Sequence, residues 1–177
     1  MAISLNDRKG GRFNLIKRRQ KMTQQQLKVG AKAPVFTLKN QLNNDVSPMT
    51  LSGKRILLSF HPLAWTSICE IQMRSLEAKY VVLNERSVSA YGISVDSVQC
   101  KAAWARSMGV KETNFLADFW PHGGVAEQYG LFLRDKGISA RANVLIGTDG
   151  RIEWMKVYDI PQIPDIEEII DFIEAAG

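Results

Sequence analysis

The most constraining feature of this sequence is the alternation of short β-favouring runs with segments of helical periodicity. Apolar runs rich in β-branched or aromatic residues stand at Arg55–Phe60, Ala90–Val95, Asn143–Gly147 and Arg151–Val157, with a weaker one at Pro34–Leu38. Between the last two long runs lies Asp149-Gly150, a two-residue hairpin signal, so these strands are expected to pair antiparallel. The intervening segments carry apolar residues at spacings of three and four. One begins near Ser67 with Cys69, Met73, Leu76, Tyr80 and Leu83; a second begins at Ser97 with Cys100, Trp104 and Met108 on one face. A third is announced by Asp165 as N-cap with Glu168 three residues on, a capping box, before Ile166, Ile169, Ile170 and Ile173. Strands and helices in this order predict an α/β fold with a mixed central sheet covered by helices on both faces.

The 177 residues suffice for one core and are too few for two full domains. The net charge of +5 is unevenly distributed. Residues 1–28 hold eight Lys or Arg and one acid, which leaves 15 basic and 17 acidic residues for 29–177. The chain therefore reads as a basic, disordered extension over 1–28 and a folded domain over 29–177. The extension has several readings: a solvated tail, a segment ahead of a later start at Met22, an organellar presequence, or an arm for nucleic acid or a membrane surface. No aromatic interleaving marks a binding face in it, so no nucleic-acid partner is expected. No stretch approaches the roughly 20 apolar residues of a membrane span, and the start lacks the apolar core of a secretory signal. The expectation is a soluble, cytoplasmic protein with no membrane partner.

Two cysteines, Cys69 and Cys100, make no disulfide framework and no Cys-x-x-Cys pair, so any chemistry they have is catalytic or redox-responsive. Two histidines far apart, His61 and His122, have no ligand spacing, and no metal site is expected. Cys69 follows a strand and the loop His61-Pro62-Leu63-Ala64-Trp65-Thr66-Ser67-Ile68, which places it in the first turn of a helix. Backbone N–H groups and the positive end of the helix dipole favour the thiolate form of a sulfur in that place. Thr66 is near enough for its hydroxyl to reach whatever the sulfur attacks, and Pro62 fixes the loop and shields its backbone. By position alone, Cys69 is as readily a small buried hydrophobe sharing a stripe with Met73 and Leu76.

The string Pro62-x-x-x-Thr66-x-x-Cys69 resembles the active-site signature of the peroxiredoxins, of the thioredoxin-like superfamily. The resemblance runs from about residue 29 to 172. It takes in Ser94-Val95-Asp96-Ser97, the segment 101–105 with Trp104, and Leu116-Ala117-Asp118-Phe119-Trp120-Pro121-His122-Gly123. It implies a thioredoxin-like fold and a peroxidase without metal, haem or flavin, in which Cys69 attacks a peroxide oxygen and becomes a sulfenic acid. Thr66 and Pro62 would support it, and Arg141, in Arg-Ala-Asn-Val-Leu-Ile ahead of the Asp-Gly turn, would complete the site. Backbone N–H groups, the Thr66 hydroxyl and the Arg141 guanidinium suit the negative charge that passes to the leaving oxygen.

The resemblance also extends to peroxiredoxins whose resolving cysteine lies in the next helix, which would make Cys100 the partner of an intramolecular disulfide recycled by thioredoxin or a similar dithiol. With both cysteines in first turns of separate helices, at least one turn would have to unwind. The alternatives are a one-cysteine enzyme resolved by an external thiol, with Cys100 packed on Trp104, or a redox sensor or holdase with incidental turnover. A homodimer or larger homo-oligomer is implied by resemblance only. Two departures concern tuning: Glu70 stands where proline is common, and Gln72 where a glutamate often braces the arginine. His61 is read as neutral packing at the strand end, His122 with Trp120-Pro121 as a turn beside the core, and Trp65 and Phe119 as core or interface packing.

Overall fold

A computed structural model describes residues 26–48 and 53–176. The expected disordered extension falls almost wholly outside the described residues, while Leu27 already packs against the core. The elements are β1 (Leu38–Asn40), β2 (Asp45–Val46), β3 (Arg55–Phe60), α1 (Ser67–Ala78), α2 (Tyr80–Glu85), β4 (Val88–Ser94) and α3 (Val98–Met108). They continue with β5 (Asn114–Ala117), α4 (Gly124–Gln128), β6 (Phe132–Leu133), β7 (Ile138–Ser139), β8 (Arg141–Ile146), β9 (Ile152–Tyr158) and α5 (Glu167–Ala175). Among the described residues no helix is long and apolar enough to cross a membrane.

Seven strands form one mixed sheet in the order β2-β1-β5-β4-β3-β8-β9. β3 runs parallel to β4 and β4 to β5, whereas β8 is antiparallel to both β3 and β9. β8 and β9 pair antiparallel as expected, but the turn has three residues, Thr148-Asp149-Gly150: the Gly147 N–H donates to the Arg151 carbonyl at 2.8 Å and Gly150 stands at φ 76°. Strand alternation divides the core between two faces. Ile56, Leu58, Phe60, Ala142, Val144 and Ile146 face Phe36, Val125, Tyr129 and Leu131; Leu57 and Leu145 face Met73, Leu76, Trp104, Ile169 and Ile170. Both sheet faces are covered, and Cys69 belongs to the second cluster.

Four further expectations are corrected. The strand proposed at Pro34–Leu38 forms at Leu38–Asn40, where β1 finds partners in β2 and β5. The stripe from Ser67 to Leu83 is two helices, because the backbone leaves helical geometry at Lys79 (φ −99°, ψ 9°). No capping box opens α5: Asp165 Oδ1 accepts from the Glu167 N–H at 3.0 Å, but the Glu168 carboxylate is taken by Lys156 Nζ at 2.6 Å and by the Tyr158 hydroxyl at 3.1 Å. On α3 the fully buried face is Lys101, Trp104, Ala105 and Met108, which leaves Cys100 at its margin.

Candidate active site

Antiparallel pairing of β3 and β8 brings the end of one strand beside the start of the other, Phe60 opposite Ala142 and Ser59 opposite Asn143. Arg141 therefore emerges next to the point where the chain leaves β3 for the loop 61–66. Its parity along β8 puts it on the same sheet face as Asn143 and Leu145, the face that α1 covers. Thr66 is the N-cap of α1, in extended geometry (φ −111°, ψ 142°), and Cys69 is the third residue of the helix.

The sequence-predicted Cys69 and Arg141 meet. Cys69 is 0% and Arg141 2% exposed, and the Arg141 Nη1–H donates to Cys69 Sγ at 3.5 Å. The guanidinium is held at three points. Nη1 also donates to Gln72 Oε1 at 2.6 Å, while Nε and Nη2 donate to the Ile160 carbonyl at 3.0 and 2.8 Å. Gln72 therefore performs the bracing that a glutamate would. Its amide end donates to Ser59 Oγ at 2.8 Å and to the Phe60 carbonyl at 3.1 Å, and Ser59 Oγ donates to Asn143 Oδ1 at 2.6 Å. This chain crosses from α1 over β3 to β8 and leaves few rotamers to the arginine.

Pro62 is buried at the start of the loop. Thr66 is exposed, and its hydroxyl donates to the Leu63 carbonyl at 3.0 Å within the loop itself. Trp65, in the left-handed region at φ 62°, is 57% exposed, and Phe119 is 53% exposed. Neither is a core residue of this chain, because each lies in a turn whose backbone carries the side chain outward. Trp120 and Pro121 form a cis peptide, and His122 Nε2 lies 2.8 Å from the Gly137 carbonyl beside them.

A second buried polar group adjoins this site; sequence reasoning took His61 as neutral packing at the strand end and gave Lys101 no role. His61 and Lys101 are both 0% exposed, with His61 Nε2 3.5 Å from Lys101 Nζ. Burial, with the Lys101 and Arg141 charges behind it, holds the imidazole well below its usual value and hence neutral. Burial also lowers Lys101, to about 8, against the raising influence of Asp96 and other groups. Lys101 Nζ donates to Ser94 Oγ at 2.7 Å, and Ser94 Oγ to Asp96 Oδ2 at 2.6 Å. The only sequence signal for Lys101 was its place two turns before Met108 on an otherwise apolar helix face.

Cys100 is half-buried and, like Cys69, a free thiol. It lies in the first turn of α3, whose N-cap Ser97 Oγ accepts from its N–H at 3.2 Å. Its Sγ–H donates to Asp96 Oδ1 at 3.7 Å; burial and the Asp96 carboxylate push this thiol up, and the Trp65 side chain hydrogen-bonded to it pulls the other way.

The arrangement is one in which a buried sulfur meets a fixed cation at a helix start, suited to nucleophilic attack with charge moving to a leaving atom. The model of the AhpC/TSA family matches residues 29–155. Alkyl hydroperoxide reductase E of Mycobacterium tuberculosis is 34% identical over 140 residues, covering 78% of this chain and 91% of that protein. A thiol peroxidase of Halalkalibacterium halodurans is 30% identical over 157 residues, covering 85% and 90%. Among solved structures, a reduced 2-Cys peroxiredoxin of Plasmodium vivax superposes with a TM-score of 0.77 at 27% identity, over 84% of this chain and 81% of that one. By sequence match and by its thioredoxin-like architecture, the chain belongs to the AhpC/TSA family, the peroxiredoxins.

Proposed function

We propose that Cys69 is the nucleophile with which this peroxidase reduces hydrogen peroxide and organic hydroperoxides. The observation that carries the reading is the Arg141 guanidinium 3.5 Å from the Cys69 sulfur in the first turn of α1. The thiolate attacks one peroxide oxygen in line, the S–O bond forms as O–O breaks, and the leaving alkoxide or hydroxide takes up a proton. Peroxide is reduced by two electrons, and Cys69 is left as sulfenic acid. Arg141 and the N–H groups of the first turn face the oxygen on which charge develops, with Pro62 shaping the loop. Thr66, whose hydroxyl proton is committed to Leu63 in this structure, keeps free lone pairs to accept the proton of a bound hydroperoxide.

In the second half of the cycle Cys100 condenses with the sulfenic acid, releasing water and forming an intramolecular disulfide. Thioredoxin or a similar dithiol then returns both thiols; a relative from Echinococcus granulosus, 26% identical, is named thioredoxin peroxidase. A second reading, resolution by an external thiol, is favoured by the hydrogen bond that ties Cys100 to Asp96 at the start of a separate helix. The family membership supports a homodimer as the working unit.

Stopped-flow oxidation of reduced wild type, Cys69→Ser and Cys100→Ser by hydrogen peroxide, read by Trp fluorescence with mass analysis of products, tests these steps. Loss of the fast phase in Cys69→Ser alone is expected, with wild type ending as the disulfide and Cys100→Ser as sulfenic acid. A wild type that also stops at sulfenic acid leaves the external-thiol route. A Cys69 that reacts no faster than a free thiol removes the reading.

A further inference from the structure

Asp96 lies between the end of β4 and Ser97, the N-cap of α3, and its carboxylate joins three parts of the molecule. Oδ2 accepts from the Ala64 N–H at 2.8 Å and from Ser94 Oγ at 2.6 Å; Oδ1 accepts from Cys100 Sγ at 3.7 Å. The Asp96 carboxylate thus bridges Ala64 in the loop and Cys100 on α3. The loop side of this bridge is the segment that leads into Cys69, and its other side is the first turn of α3.

Two further observations bear on this bridge. Lys101, 0% exposed, donates to Ser94 Oγ at 2.7 Å, so the Ser94 proton is directed to Asp96 and a buried cation stands behind the carboxylate. Trp65, the residue after Ala64, stands at φ 62°, a conformation that a bulky side chain keeps only where its surroundings impose it. The hydrogen bond from the Ala64 N–H to Asp96 fixes the backbone immediately before it.

We propose that Asp96 is a positioning residue for the peroxide step, one that clamps the loop ahead of Cys69 to the Cys100 thiol. The clamp is complete only while Cys100 carries its proton. When Cys100 condenses with the Cys69 sulfenic acid, its S–H bond is replaced by S–S, the proton leaves in the water released, and Asp96 loses that donor. The loop is then tied to Asp96 only through the Ala64 N–H. Cys100 therefore acts in both halves of the cycle: reduced, it keeps the loop closed for peroxide; consumed, it opens the loop for the reductant. The proposal rests on the reading of Cys69 as nucleophile and of Cys100 as its resolving partner.

The test pairs stopped-flow kinetics with amide hydrogen exchange of residues 62–66 in the reduced protein, for wild type, Asp96→Ala, Asp96→Asn and Cys100→Ala. In Asp96→Ala the sulfenic-acid phase is expected to slow about tenfold and the disulfide phase to quicken by a similar factor, the worth of one charge-assisted hydrogen bond. Exchange at Ala64 rises by about the same factor, and also rises in Cys100→Ala. Asp96→Asn, which keeps an acceptor for Ala64, returns the first phase to within about threefold of wild type. A residue of merely structural role would slow both phases together. That outcome, or unchanged Ala64 exchange in Asp96→Ala, overturns the proposal. Should Asp96→Ala fail to fold, exchange in Cys100→Ala and Asp96→Asn decides. A wild type without a fast phase defeats the peroxidase reading, whereas the exchange comparison still decides on the clamp.

Discussion

Replacing Arg141 by Met separates two contributions that the structure joins in one side chain. Met fills much of the same volume but cannot donate, so the Cys69 sulfur loses its contact at 3.5 Å, and Gln72 Oε1 and the Ile160 carbonyl lose their donors. The buried Gln72 acceptor and the part-buried Ile160 carbonyl, left without partners, cost about 1–3 kcal/mol each, the second toward the lower end, partly offset because a charge no longer has to be kept from water. A net loss of about 2–4 kcal/mol corresponds to roughly 5–15 °C in Tm for a chain of this size. The kinetic effect is larger in proportion. Removing one preorganised donor from developing negative charge lowers a rate by about 10²–10³-fold. The second-order rate constant for hydrogen peroxide, measured by stopped-flow well below the variant's Tm, reads it directly. Arg141→Lys keeps the charge but loses the planar fork that reaches sulfur, Gln72 and Ile160 together, so it should recover no more than about a tenth of the lost rate. A folded Arg141→Met enzyme within about threefold of the wild-type rate would refute the reasoning and leave Arg141 a structural residue.

Two other perturbations are expected to act through packing and protonation. In Gly92→Ala the new Cβ would overlap Met73 Sδ and stand 3.2 Å from Phe115 Cδ1, both in the core under α1, so the variant should unfold about 1–3 kcal/mol more easily in urea; unchanged stability would show that Met73 has room to move. His61, held neutral by burial and by the Lys101 and Arg141 charges, contributes stability that is complete above the unfolded value near 6.5 and is lost as pH falls below it, because the unfolded chain then binds the extra proton. Urea denaturation between pH 5 and 6.5 should accordingly show a slope up to about 1.4 kcal/mol per pH unit, which His61→Phe abolishes; an equal slope in the variant would place the titrating group elsewhere.

The legible parts of this molecule were those fixed by local chemistry. β3, β8 and β9 announce themselves by apolar runs and an Asp-Gly turn, and the start of α1 by the loop ahead of Cys69. β5 was passed over because Asn114–Ala117 is four residues long and becomes a strand only between β4 and β1. The box expected at Asp165 failed for a similar reason: Lys156 and Tyr158 on β9 compete for Glu168, and no local pattern contains them. At the site, Cys69 and Arg141 were found through their surroundings in sequence, and the structure brings them into contact. Lys101 was not, since a lysine beside alanines on a helix reads as solvent-facing, and only the fold shows a buried serine, a histidine and an aspartate network waiting for it. Polar groups buried together are invisible to periodicity, which scores them as interruptions.

The pairing of Ser59 with Asn143 has a consequence for how the enzyme comes into being. Side chains alternate along a strand, so a shift of β8 by one residue against β3 would turn Arg141 to the opposite face, behind the sheet, while a mixed sheet of the same outline could still form. The hydrogen bond from Ser59 to Asn143, continued to Gln72, rewards a single alignment. On the role proposed for Arg141, peroxide reactivity reports folding fidelity: in a population of refolded molecules it counts those whose strands met in the right register, which spectroscopic measures of secondary structure do not distinguish.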